Sequence, residues 1–73
     1  MDHRIPDMKE LGKVIRETRK QQGLTQDDLA GMTGMNRRFI SDLERGKERA
    51  QAGKVLLVLA ALGIALYAMS KWK

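Results

Sequence analysis

The sequence predicts a mainly α fold, a small bundle of helices followed by a short C-terminal β-strand that pairs across a dimer. Three observations carry this prediction. Helix start signals and glycine stops alternate in order through the first 46 residues. Between them the apolar residues recur at helical spacing. An uncharged run of 15 residues, Val55 to Met69, is broken by Gly63, which divides a last helix from the strand. At 73 residues there is room for one domain, read as a tail over 1–7, a helical domain over 8–63, and a strand and tail over 64–73. A chain this short buries only about 60% of its unfolded surface. With no cysteine available for a disulfide, its extra stability is expected to come from a partner chain.

Each element has a local cause. Asp7 caps a first helix, with Glu10 at capping-box spacing, and Met8, Leu11, Val14, Ile15 and Thr18 share its inner face until Gly23. Thr25 caps a short second helix, with Asp28 three residues on and Leu24 and Leu29 as a hydrophobic staple; Gly34 ends it. Asn36 caps a third helix, Met35 and Ile40 repeat the staple, and Phe39, Ile40 and Leu43 point inward before Gly46. A fourth helix runs from about Gln51 to Leu62, with Val55, Leu56, Leu59 and Leu62 as its buried stripe. Met8, Met32 and Met35 are read as core filler.

Charge and composition exclude more than they assign. Lys and Arg number 14 against 9 Asp and Glu, a net charge of +5 that favours polyanionic partners. One histidine and no cysteine leave no metal site and no thiol chemistry, so no cofactor is expected. Ser/His/Asp sets, phosphate-cradling loops and HExxH are all lacking, and an enzyme is the least expected class. The 15-residue apolar run falls short of the roughly 17 residues that a membrane helix needs. A small membrane-tethered basic protein is therefore the weakest reading, and no membrane partner is expected.

Residues 25–46, TQDDLAGMTGMNRRFISDLERG, make a geometric statement. Ala30 sits where two short helices press together, Gly34 allows the left-handed turn between them, and Leu29, Ile40 and Leu43 fill their angle. Arg37, Arg38, Ser41, Asp42 and Arg45 remain on the outer face of the second, a polar surface shaped for a major groove. Residues 8–63 resemble the Xre and phage-repressor family of helix-turn-helix proteins, through Gln26, Ala30, Gly34, Ile40, Leu43, Glu44 and Gly46 taken together. The resemblance implies a lambda-repressor-like domain of five helices, completed by KVLLVLAALG. In more detail the chain is similar to HipB-type antitoxins, which join this domain to a C-terminal strand, repress their own operon and bind a kinase-like toxin.

The resemblance implies the site. Asn36, Arg37, Arg38 and Ser41 fall at positions that reach base edges, and their residue types suit adenine and guanine. Thr25 and Gln26 match positions that grip a phosphate from a helix N-terminus, and Arg45 and Lys47 are read as backbone clamps. Asp42 either accepts from cytosine N4 or orients Arg38 through an i, i+4 pair. Arg19 and Glu44 are expected to form an ion pair.

Beyond Gly63, Ile64, Leu66, Tyr67 and Trp72 are the expected dimer interface, because a lone apolar strand needs a partner strand. Trp72 serves as dimer core, as tail, or as an anchor into another protein. A two-fold dimer would read an inverted-repeat operator with half-sites about 34 Å apart or a multiple of that. The expected function is sequence-specific repression as an antitoxin in prokaryotic cytoplasm, with double-stranded DNA, a second copy and a kinase-like toxin as partners. A stand-alone Xre-type or phage-type repressor is the alternative.

Overall fold

A computed structural model describes residues 4–66, and its helices are α1 (Met8–Gln21), α2 (Gln26–Thr33), α3 (Arg37–Glu44) and α4 (Ala52–Leu62). The first three begin on the predicted caps. Asp7 accepts from the Glu10 N–H at 2.8 Å, Thr25 from Asp28 at 3.0 Å and Asn36 from Phe39 at 2.8 Å. At α2 the box is reciprocal, the Thr25 N–H donating to the Asp28 carboxylate at 2.9 Å. The four predicted stops, Gly23, Gly34, Gly46 and Gly63, all have positive φ. Gly34 shows why this matters. Its φ of 72° turns the chain out of α2 so that Met35 N–H reaches back to the Ala30 carbonyl at 3.0 Å, and only three residues separate α2 from α3.

The core lies where the helices converge. Leu11 and Ile15 from α1, Leu29 and Ala30 from α2, Ile40 and Leu43 from α3, and Val55, Val58, Leu59 and Leu62 from α4 form one buried cluster. Both staples hold, with Leu24 and Met35 half-buried against this cluster, and Phe39 lies there too. Gln22 ties the ends of α1 and α4 together by donating to the Leu62 carbonyl at 2.8 Å.

Several expectations are corrected. Leu56 is 52% exposed, and Val58, fully buried, takes its place in the α4 stripe. A helix this rich in leucine and alanine shows little amphipathic contrast, so periodicity alone chose the wrong rotation. Met32 is exposed on α2 and fills no core, while Met8 and Met35 do pack against it. The described residues hold four helices, one fewer than the resemblance implies, and Arg45–Gln51 links α3 to α4 without one. Of the expected strand, Ile64 instead closes α4, its N–H donating to Leu59 O at 2.9 Å and its side chain resting on this chain's own core. Leu66 is exposed, whereas Tyr67 and Trp72 lie outside the described residues.

Candidate nucleic-acid interface

The outer face of α3 is assembled from the inside out. Ile40 and Leu43, fully buried, fix the helix against α1 and α2. Facing away from them, the side chains of Arg37 and Arg38 are 68% and 88% exposed. Their contacts are loose, Arg37 with Asp27 of α2 and Arg38 with Asp42, each at 4.0 Å. Exposed pairs at that distance contribute little, so both guanidiniums remain available to another ligand. Asn36 spends its side-chain oxygen on the α3 cap. Ser41 lies half-buried on the same helix.

Asp42 does more than the sequence suggested. Its carboxylate accepts from Arg45 Nη2 at 2.6 Å and from Lys47 Nζ at 3.3 Å, while its backbone carbonyl accepts the Lys47 N–H at 3.1 Å. The expected i, i+4 contact with Arg38 is present but is the loosest of the three. Both expected backbone clamps are thus gathered by one carboxylate at the end of α3. The hydrogen bond from Arg45, then that from Lys47, holds the Asp42 carboxyl below the usual carboxylate range. At Asp28 the bonds from Thr25, its backbone N–H first, do the same. Because each folded pKa lies below the unfolded value, the stabilisation is complete above about pH 4 and fades as pH falls through the lower folded value. Acid titration of unfolding should therefore show a loss below about pH 4 that Asp42→Asn makes shallower, the variant starting from a lower stability at neutrality, where the wild-type carboxylate contributes in full.

The predicted Arg19–Glu44 pair is present and more elaborate than a pair. Arg19 donates from Nε to Glu44 Oε2 at 2.6 Å, from Nη2 to Oε1 at 3.0 Å, and from Nη1 to the Leu24 carbonyl at 2.7 Å. The two side chains are 8% and 3% exposed. The Glu44 hydrogen bond raises the Arg19 pKa against the desolvation that would lower it, so the guanidinium stays charged. Gln26 also donates to Glu44 Oε1, at 3.1 Å. Its amide is therefore committed inside the fold. Thr25 is likewise committed to its capping box, which leaves the unpaired first-turn N–H groups of Gln26 and Asp27 as what the start of α2 offers an anion.

Sequence reasoning missed one structural residue here. Gly12 is buried on α1, and a Cβ built on it would stand 2.4 Å from the Leu43 carbonyl oxygen and 2.7 Å from that of Glu44. Its absent side chain lets α1 lie against the last turn of α3. A glycine inside a helical pattern whose other members are apolar was the available signal.

Among the described residues no group of acidic or histidine side chains is arranged to hold a metal, and no helix is long and apolar enough to cross a membrane. The family model for helix-turn-helix proteins matches residues 15–68. An uncharacterised helix-turn-helix-type transcriptional regulator of Sinorhizobium fredii, y4mF, is 50% identical over 66 residues, 90% of this chain and 87% of that one. The ImmF control region 10 kDa protein of Bacillus phage phi105 is 42% identical over 41 residues, 56% of this chain and 46% of the phage protein. Among solved structures, a chain of a HipA–HipB–O2–O3 complex shares the fold, with a TM-score of 0.86 over 96% of this chain and 99% of that one at 21% identity. The restriction-modification controller protein C.AhdI of Aeromonas hydrophila matches with a TM-score of 0.72 at 31% identity, covering 80% and 88%. The α2–turn–α3 unit is thus shared in sequence as well as in shape, and the chain belongs to the helix-turn-helix family of DNA-binding transcriptional regulators.

Proposed function

We propose that this chain is a dimeric, sequence-specific repressor of the antitoxin kind, which silences its own operon and binds a kinase-like toxin. The observation that carries the reading is the outer face of α3, where Arg37 and Arg38 stand exposed and loosely paired on a helix locked to the core from behind. In this reading Arg37, Arg38, Ser41 and the side-chain amide nitrogen of Asn36, whose oxygen stays on the α3 cap, meet base edges. Arg45 and Lys47 meet phosphates, with Asp42 holding them in place, and the first turn of α2 grips another phosphate. Dimerisation is supported by apolar surface that one chain leaves uncovered, Leu56 and Leu57 on α4 at 52% and 54% exposure together with Leu66. Support for a toxin partner comes from the fold likeness to one chain of a HipA–HipB–O2–O3 complex, which covers 96% of this chain and 99% of that one.

Arg37→Ala is expected to cost about 1–3 kcal/mol of discrimination at one operator position, and Lys47→Ala to weaken binding to every sequence alike. Titrating each variant against operator and random duplexes checks this; equal losses on both duplexes for both variants would count against the reading. For the toxin, the chain is captured from its source cells beside a version ending at Leu62, and what co-purifies is identified by mass spectrometry. A kinase-like protein retained only by the full chain supports the antitoxin reading. Recovery of the chain with DNA alone supports a stand-alone repressor, which the higher sequence identity to C.AhdI and to the phage protein favours.

A further inference from the structure

The first helix carries a charge pattern that the helix-turn-helix unit does not use. Lys9, Lys13, Arg16 and Lys20 recur along α1 at spacings that keep them within about 60° of arc, in a row about 16 Å long. All four are exposed. None enters an ion pair among the described residues, whereas Arg19, Arg37, Arg38, Arg45 and Lys47 all do. Successive members are i, i+3 or i, i+4 neighbours of like charge, an arrangement that destabilises a helix standing alone. Solubility would be served as well by interleaved signs. On α1 the acids Glu10 and Glu17, which neighbour Lys13 and Lys20 at i, i+3 or i, i+4, are instead set to one side of the basic row.

Segregation has a direction. At 100° per residue Glu17 and Glu10 lie about 70° and about 90° to one side of the centre of the row. Gly12, which abuts the last carbonyls of α3, lies about as far to the other side. The bases therefore lie nearer the carboxyl end of α3 than Glu17 does, with Glu10 at the edge of the same surface. Arg45, just past the end of α3, borders the same concave surface as Lys9, Lys13 and Arg16. Asp7, Glu10 and Glu44 also border it, but Glu44 is committed to Arg19 and Gln26, and Asp7 to the α1 cap.

We propose that this row is a second phosphate track: a duplex seated on α3 passes Arg45 and continues along Lys9, Lys13 and Arg16. The inference rests on the DNA reading above and extends the bound surface beyond the helix-turn-helix unit. The track adds affinity and salt dependence without adding sequence preference, because phosphates carry no base identity.

The test uses the full chain and the triple variant Lys9→Gln, Lys13→Gln, Arg16→Gln, whose thermal melt should match wild type since all three positions are exposed. Binding to the operator duplex is followed from 50 to 200 mM salt, and ethylation interference maps the phosphates that matter. The slope of log affinity against log salt should become shallower by about 0.9 for each phosphate that the variant no longer neutralises, up to about 2.7 in all. One discrete cluster of sensitive phosphates should disappear with it, while preference for operator over random duplex is kept. An unchanged slope overturns the proposal. So does a shallower slope with every sensitive phosphate retained, which would mark only a weakening of the general field. Wild-type protein that fails to distinguish operator from random duplex would instead overturn the DNA reading itself, and the track with it.

Discussion

Glu44→Ala should unfold this domain or bring it close to unfolding. The substitution strands Arg19, whose side chain is only 8% exposed, with two of its three hydrogen bonds gone, and removes the acceptor of Gln26. Taking away one partner of a buried, hydrogen-bonded pair costs about 3–5 kcal/mol. A chain of 73 residues holds only about 4–11 kcal/mol in total, at roughly 0.05–0.15 per residue. Thermal melting at fixed protomer concentration should therefore show a fall of at least about 12 °C. The penalty lies in the unpaired charge, so replacing both partners by apolar residues, Arg19→Met with Glu44→Leu, should recover most of the loss. An alanine variant melting within a few degrees of wild type would show that water reaches the guanidinium.

Gly12→Ala is expected to be nearly as damaging for an unrelated reason. The added methyl would meet two backbone carbonyl oxygens, at 2.4 and 2.7 Å, and backbone cannot swing aside as the end of a long side chain can. Either α1 lifts away from α3 or the last turn of α3 moves, at a cost of about 3 kcal/mol, the upper part of the usual range for overpacking. Gly31→Ala supplies the control. It too lies inside a helix, but it is exposed and nothing stands within 4 Å of the position its Cβ would take. There alanine should stabilise by up to about 1 kcal/mol through helix propensity. Melts of the two variants should move in opposite directions. A similar modest shift in both would mean that α1 and α3 are less closely seated.

What could be read from the sequence was whatever depends on near neighbours. Caps at Asp7, Thr25 and Asn36, stops at four glycines and both staples each involve residues fewer than six apart, and all are present. The Arg19–Glu44 pair spans 25 residues and became legible only through family resemblance. Gly12 and the rotation of α4 were not legible, because both are decided by how distant helices press together. In α4 an excess of apolar residues also erased the contrast between faces, so Leu56 was expected inside and Val58 was overlooked. At the candidate interface the sequence placed Arg37, Arg38 and Arg45 on an outer polar face, where the structure has them exposed, but the mutual commitments of these side chains were not legible. Spacing could suggest that Asp42 meets Arg38; that it chiefly holds Arg45 and Lys47 follows from the turn after α3.

The three side-chain caps have a consequence in time. Each closes across three residues, so the first turns of α1, α2 and α3 can form before any distant part of the chain has been found. Helical domains dominated by such short-range contacts fold in microseconds to milliseconds, while protein synthesis adds only about 5–20 residues per second. Folding is then finished almost as soon as the chain leaves the ribosome. If the chain acts as the pair proposed above, the remaining wait is for a second copy, and it shortens as copies accumulate. Abundance, not the folding rate, would set how soon a newly made chain takes effect.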